Sequence, residues 1–509
     1  MYQVIILTGA LSGPPTQRPN IPSTGAYKCA NALRINGFSC LVIGHILDYS
    51  LDEINELLDH AVSEDTLMIG VSTTFLTGTP EMTGELANND TREEQLDSFV
   101  NNKSIMDKYQ AVGDGFDATV LHRLRQKFPK IKFVTGGYNA NPDREVTGLD
   151  FICLGYSEIS IVDIANHLLH GTAIPKSRRN IFGTVIVDDA TAELHDFHNE
   201  TMTWLPEDVV THTKLPIEIS RGCIFNCKFC AFPMRGKNKL DYIKSADCLR
   251  AELMYNYENY GITEYSIVDD TFNDSREKLS AVRDMVSTLP FQPTFWCFAR
   301  LDLIAIWPDT LDTLYQIGIR SMFLGIETLN RKSGLAIGKG FEKDKLISIV
   351  KTIKQRYPDI VLYGSFIMGV PYESVESVQE TNRLLCSGEF PLDSWKFRPL
   401  QIWRPTTVTR TVWLSEFDMN WEKYGYTEIE NPPDQVKVYW KNEEMDYFTA
   451  VELCTEFETQ YREVIKNKIG KTWFNPYIAA WLEKGTRRDF LPGYKQRLLE
   501  IVKSKKSLT

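Results

Sequence analysis

Arg221-Gly222-Cys223-Ile224-Phe225-Asn226-Cys227-Lys228-Phe229-Cys230 follows the apolar run 215–219 and carries three cysteines at the spacing C-x3-C-x2-C. An apolar run that feeds into such a loop predicts a strand with a cluster-binding loop at its end. Three thiolates on a cubane of four irons leave one iron without a protein ligand, and that open iron can bind a small molecule. Zinc normally takes four closed ligands with paired cysteine spacings. The nearest outside candidates, His212 and Cys248, are poorly placed to complete such a set.

Downstream of this loop the pattern repeats. Ser245 caps a helical stretch carrying Leu249, Leu253, Met254 and Tyr257, which Gly261 stops. Strand-like runs at 265–268, 294–298, 321–324, 361–367 and 394–397 then alternate with helical stretches at 276–288, 310–317, 342–356 and 375–387. With the strand before Cys223, six strands alternate with helices. This predicts a partial six-unit parallel barrel whose active site lies at the carboxyl ends of its strands.

In this arrangement the sequence resembles the radical S-adenosylmethionine (SAM) superfamily, and Phe229 before the last cysteine fits that family's motif. The resemblance implies that Cys223, Cys227 and Cys230 are at once the metal ligands of a 4Fe-4S cluster and the catalytic centre. S-adenosyl-L-methionine would chelate the unique iron. Asp269-Asp270-Thr271-Phe272 occupies the place of the family's Gly-Gly-Glu segment, which holds the methionine amino group. That departure resembles the cobalamin-type and methylthiotransferase-type branches. A carboxylate facing an ammonium is the expected pair. The sequence leaves open which of Asp269 and Asp270 points inward, and a helix cap is the rival role for Asp270. In Phe298-Ala299-Arg300-Leu301-Asp302 the resemblance assigns Arg300 to the methionine carboxylate, the alternative being an ion pair with Asp302 or Glu327. In Gly325-Ile326-Glu327-Thr328 it implies that Glu327 contacts the adenosyl part or orients the arginine. Lys339-Gly340 also fits the family. Gly364 and Ser365, in Gly364-Ser365-Phe366-Ile367-Met368-Gly369-Val370-Pro371, would let the backbone approach the adenine.

Upstream, strand-like runs at 3–8, 39–43, 66–71, 131–134 and 150–154 alternate with helical stretches at 24–36, 51–60, 117–128 and 158–170. This is the signature of a doubly wound, Rossmann-like parallel sheet, which binds ligands beyond the carboxyl ends of its strands. Val134-Thr135-Gly136-Gly137, followed by Asp150-Phe151-Ile152-Cys153-Leu154-Gly155-Tyr156-Ser157-Glu158, is similar to the end of cobalamin-binding domains fused to radical enzymes. Tyr156 and Ser157 depart from that family's Gly-Glu-Gly-Glu, and the loop after the first strand has no Asp-x-His-x-x-Gly. Many radical members bind cobalamin without that histidine. The resemblance points to Ser72, Thr73, Gly136, Gly137, Gly155 and Glu158 for cobalamin; the alternative is a domain that kept its fold and lost its ligand. The polar insertion 78–115 reads as a lid or a mobile segment.

Composition bounds the rest. The 509 residues suffice for two or three domains, and no uninterrupted apolar run approaches a membrane span. The expectation is a soluble, cytoplasmic protein in which 1–8 is a first strand and not a signal peptide. Ten cysteines in so long a chain do not form a disulfide scaffold. A net charge of -11 argues against a broad grip on nucleic acid. Lys228, Arg235, Lys237, Lys239 and Lys244 form the best basic patch and read equally as a solvated face.

The expected domains are a cobalamin-binding-like domain at 1–170, a linker at 171–213, the radical SAM partial (β/α)6 barrel at 214–398 and a mainly helical capping region at 399–509. His195, His198 and His212 fall in the linker; their irregular spacing in a polar stretch points to surface residues, with a metal trio as the alternative. The tryptophans beyond 399 are expected as core, with a substrate-stacking wall as the alternative. The implied activity is reductive cleavage of SAM to a 5'-deoxyadenosyl radical that modifies an unactivated carbon of a small-molecule or peptide substrate. Carbon methyl transfer follows where methylcobalamin is bound; without cobalamin a rearrangement, a cyclisation or an oxidation is equally open. The electron donor would be a flavodoxin or ferredoxin. Methylthiolation is a rival that needs a second cluster on Cys29, Cys40 and Cys153, which lack strand-end placement. A non-catalytic metal-binding protein is the other.

Overall fold

The computed structural model describes residues 2–9, 21–46, 49–72, 124–137, 149–188, 196–209, 212–232, 242–404, 414–433, 437–469 and 487–506. They form two compact units. The first comprises Met1–Asp196, Met202–Pro216 and Lys484–Thr509, and the second Phe197–Thr201 and Ile217–Glu483. Among the described residues no helix is long and apolar enough to cross a membrane.

In the first unit the apolar runs become β1 (Val4–Thr8), β2 (Cys40–Ile43), β3 (Met68–Ser72), β4 (Lys132–Gly136) and β5 (Phe151–Cys153), parallel in the order β2-β1-β3-β4-β5. Strands this uniformly apolar are buried on both faces, which parallel connections through helices allow. The helix Thr24–Ile35 follows β1. Leu51–Ala61 begins at a capping box, in which Ser50 and Glu53 satisfy each other's backbone N–H groups. Glu158–His170 ends on Gly171, whose φ of 71° is left-handed. Register aligns Thr8, Ser72, Gly136 and Cys153 in one row at the carboxyl end of the sheet.

Two features depart from the expected domain boundaries. Part of the 171–213 stretch extends the sheet: β6 (Ser177–Arg179) pairs antiparallel with β7 (Val185–Val187), which pairs parallel with β5. The last helix, Arg487–Lys506, belongs to the first unit. Its Tyr494, Leu498 and Val502 join the core formed with Ile54, Leu57 and Leu58, while Lys495 reaches Glu53 and Lys503 reaches Glu56. An amphipathic helix takes whichever apolar face is open to it, here the helix Leu51–Ala61.

The second sheet is open and in sequential order, β8 (Lys214–Ile217), β9 (Glu264–Ile267), β10 (Thr294–Ala299), β11 (Ile319–Glu327), β12 (Val361–Met368) and β13 (Ser394–Pro399), parallel from β9 onward. With the helices Ala246–Tyr260, Arg276–Val286, Thr310–Ile317, Lys343–Arg356 and Val375–Ser387 it makes a partial (β/α)6 barrel. The Ser245 side chain accepts from Cys248 N and Gly261 takes φ 66°, so both ends of the first helix form as the sequence indicates. The edge strand β13 is covered by Tyr447–Ile469, with Phe457 against Phe397 and Tyr461 against Trp395. Trp440 is fully buried. A side chain on Gly369, which has φ 87°, would lie 1.9 Å from its ring, so this position requires glycine. Trp403 is 38% exposed, whereas Trp413, Trp473 and Trp481 lie outside the described residues.

Candidate active site

After β8 the chain turns at Gly222, whose φ is 78°. Buried Arg221 fixes the turn by a double contact to Glu218 at 3.0 Å, its N–H donating to Tyr242 O. Each sulfur of the triad then receives a donor. Phe225 N lies 3.4 Å from Cys223 Sγ, Arg300 Nη1 lies 3.4 Å from Cys227 Sγ, and the backbone N–H of Phe232 serves Cys230. N–H donors around thiolates are the surroundings that tune an iron–sulfur cluster. Burial pushes the Cys230 thiol up to about 11, with the charge of Asp270 adding to it, and raises Cys223 for the same two reasons. The loop is bracketed from both sides: Lys228 N donates to Ile337 O at 3.1 Å, and Phe417 N donates to Lys228 O at 3.1 Å.

The other strand-end residues separate into those that face this loop and those that do not. Asp269, one of the two carboxylates considered for the SAM amino group, is bonded to the strand end that leads into the loop. Its Oδ1 accepts from Ile219 N at 2.8 Å and Ser220 N at 2.9 Å, its Oδ2 accepts from Ser220 Oγ at 2.6 Å, and it is 1% exposed. Three of its acceptor sites are so occupied, and Lys278 Nζ stands 3.7 Å from Oδ2, so this buried carboxylate is engaged within the protein. Asp269 instead ties the end of β8 to β9. Asp270 is half-buried and lies within electrostatic reach of Cys223 and Cys230. Lys278, completely buried, joins the inner cluster through Asp274 Oδ1 at 2.5 Å, Ser220 Oγ at 3.0 Å and Thr271 O at 3.1 Å. Sequence reading passed over Lys278. The signal was a lysine in the core-facing spacing of Val282 and Met285.

Arg300 adopts the ion-pair alternative. Nε and Nη2 contact Asp302 at 3.0 and 2.5 Å, and the guanidinium lies 4.0 Å from the centre of the Phe225 ring. Glu327 pairs with Lys339 at 2.8 Å and not with the arginine, and Lys339 also donates to Gly325 O. Lys339 lies 5.6 Å over Phe229 of the cluster loop, and Glu327 takes the unusual φ of 67°. Ser365 is half-buried. A side chain on Gly364 would meet Leu392 at 2.5 Å, Phe366 at 3.0 Å and Ile326 at 3.3 Å, so packing on that side of the strand leaves room only for glycine. Glu373, just past β12 and not singled out in the sequence, is buried and bonded to Thr328.

In the first unit Ser72, Gly136, Gly137 and Gly155 line the carboxyl ends, Gly137 and Gly155 with φ 105° and 76°. Glu158 is buried in the first turn of its helix. Thr73, the insertion 78–115 and His195 lie outside the described residues. His198 is exposed, but His212 is buried, with its Nε2 3.4 Å from that of His45, against the expectation of a surface residue.

Residues 217–385 match the family model described as the radical SAM superfamily. The chain carries a radical SAM domain. An uncharacterized methyltransferase of Pyrococcus horikoshii is 26% identical over 226 residues, 43% of this chain and 48% of that protein. The ribosomal protein uS12 methylthiotransferase RimO of Prosthecochloris aestuarii is 23% identical over 175 residues, 32% of this chain and 39% of its own. The chain thus spans less than half the length of these curated relatives. The radical SAM methyltransferase TsrM from Kitasatospora setae, solved with a tryptophan substrate and a SAM analogue, aligns over 92% of this chain and 89% of its own with a TM-score of 0.58 at 14% identity. A second structure of TsrM holds cobalamin and a 4Fe-4S cluster. At that identity the likeness is one of fold. A radical SAM domain takes a 4Fe-4S cluster and SAM, and the donor set around Cys223, Cys227 and Cys230 fits the cluster.

Proposed function

We propose that the chain is a radical SAM enzyme that modifies an unactivated carbon, by methyl transfer from cobalamin held at the first unit. The observation that carries the reading is the cluster loop, where three thiols stand at a strand end and each has its own N–H donor. Loaded with a cluster and SAM, and given one electron by a low-potential donor, such a site would cleave SAM to methionine and a 5'-deoxyadenosyl radical that removes hydrogen from carbon. The chain's own residues bind and orient. Asp270 offers a carboxylate to the methionine ammonium, and Arg300 holds the Cys227 sulfur. Asp269 with Lys278 fixes the loop's entry, and Lys339 holds Glu327 at the strand mouth.

The first unit supports a cobalamin role by its strand order and by the row of small residues Ser72, Gly136 and Gly155 at the carboxyl ends. TsrM, similar to this chain in fold, has been solved with cobalamin and the cluster bound together, which agrees with this reading. Methylthiolation fits less well. Cys40 and Cys153 are buried within strands, where burial pushes both thiols up to about 12, and Cys29 lies on the helix Thr24–Ile35. Anaerobic reconstitution tests the proposal. The expected result is about four irons per chain, with 5'-deoxyadenosine formed from SAM and a cobalamin absorption spectrum after loading. About eight irons would favour methylthiolation, and a loaded cluster that forms no 5'-deoxyadenosine would defeat the radical reading.

A further inference from the structure

Strands β11, β12 and β13 run in register, so that Gly325, Ser365 and Lys396 form one cross-strand row, with Ile367 beside Arg398 two residues further on. Successive side chains of a strand point to opposite faces. A side chain on Gly325 would meet Lys339 Nζ at 2.6 Å and Glu327 Oε1 at 2.7 Å. The row through Gly325 therefore lies on the face of the Lys339–Glu327 pair, while Gly364 and Trp395 face the covering helices. Lys396 and Arg398 fall on the site's face, exposed, between Trp395 and Phe397, which are buried.

Arg320, the other cation on β9 to β13, pairs with Asp359. Around the site Lys278, Arg300 and Lys339 are each held by a carboxylate. Among the described residues neither Lys396 nor Arg398 has an ion pair or a hydrogen bond, and both lie within electrostatic reach of Cys454 on the helix Tyr447–Ile469. Two like charges two residues apart on one face repel, and an anion between them removes that cost. A lysine supplies a compact point charge and an arginine a planar fork, a combination suited to carboxylate or phosphate oxygens.

We propose that Lys396 and Arg398 hold an anionic group of the substrate, a carboxylate or a phosphate. The assignment rests on the reading of this face as the reaction site. Inorganic phosphate and succinate are titrated into the full chain, and binding is read from line broadening in phosphorus and proton NMR. The double variant K396Q/R398Q is expected to weaken binding of the preferred anion at least about fivefold while melting like the wild type. Lys351→Gln, an exposed lysine on the helix Lys343–Arg356, is expected to leave binding unchanged. A preference for phosphate or for succinate identifies the anion class.

Equal binding by the double variant, an equal loss in the control, or no broadening by either anion overturns the proposal. Displacement of the bound anion by SAM on reconstituted protein assigns the pair to the cofactor's own carboxylate, and also overturns it. Because the measurement requires no turnover, a missing iron cluster or missing 5'-deoxyadenosine defeats the radical reading without touching the anion result.

Discussion

Arg300 Nη1 donates to Cys227 Sγ across 3.4 Å, and Asp302 and the Phe225 ring hold the guanidinium in that position. A fixed positive charge beside a cluster sulfur favours the more negative, reduced state of the cluster. Arg300→Gln should therefore move the reduction potential of the reconstituted cluster downward. A charged hydrogen bond is worth about 1.5–3 kcal/mol, of which a fraction differs between oxidation states, so the shift is on the order of tens of millivolts. A redox titration followed by electron paramagnetic resonance measures it. An unchanged or raised potential would show that the contact does not act on the cluster.

Asp269 is a positioning residue. Asp269→Ala leaves the amides of Ile219 and Ser220 without their acceptor and weakens the hold on buried Lys278. Breaking a buried charged network from one side costs about 3–5 kcal/mol. The variant should melt on the order of 10 °C lower and retain less iron after desalting, with Asp269→Asn falling between it and the wild type. Wild-type melting together with wild-type iron in Asp269→Ala would remove the positioning role.

The strands of both units and the cysteine triad were legible because each is a local pattern: apolar runs between turn signals, and thiols at a fixed spacing. Side-chain direction was not. Asp269 and Asp270 are neighbours in sequence, yet Asp269 turns back to the amides of Ile219 and Ser220 while Asp270 lies near the thiols. Gly364 and Ser365 divide in the same way between the helix side and the mouth. Pairings that depend on tertiary placement were equally hidden. Arg300 meets a sulfur 73 residues away, and Lys495 of the last helix meets Glu53 across 442 residues. No local periodicity encodes either contact.

His212 packs against His45 and the edge of the Tyr494 ring, and its Nδ1 lies 2.7 Å from Val209 O. Burial lowers its pKa from 6.5 to about 4. For a histidine held neutral in the folded state, the unfolded chain binds more protons between these values, so stability is present above pH 6.5 and lost as pH falls toward 4. The loss reaches about 3 kcal/mol at full effect. Thermal unfolding of the first unit should drop steeply from pH 7 to pH 4.5, and His212→Gln should flatten that slope even if it lowers the melting point at pH 7. Parallel slopes would mean that another group controls the acid limb.

Glu373 acts in the opposite direction and in the other unit. It is 2% exposed, bonds Thr328 through one oxygen, and has no partner for Oε2 among the described residues. Burial raises its pKa from 4.5 to about 8. The folded state holds the proton that the unfolded chain releases, so this contribution to stability is complete below pH 4.5 and is lost as pH climbs to about 8. Glu373→Gln keeps the shape and removes the charge. The second unit of the wild type should therefore melt several degrees lower at pH 8.5 than at pH 6, whereas E373Q should melt nearly equally at both. A wild type with no alkaline drop, or a variant with the same drop, would show that Glu373 is already ionised in the folded protein.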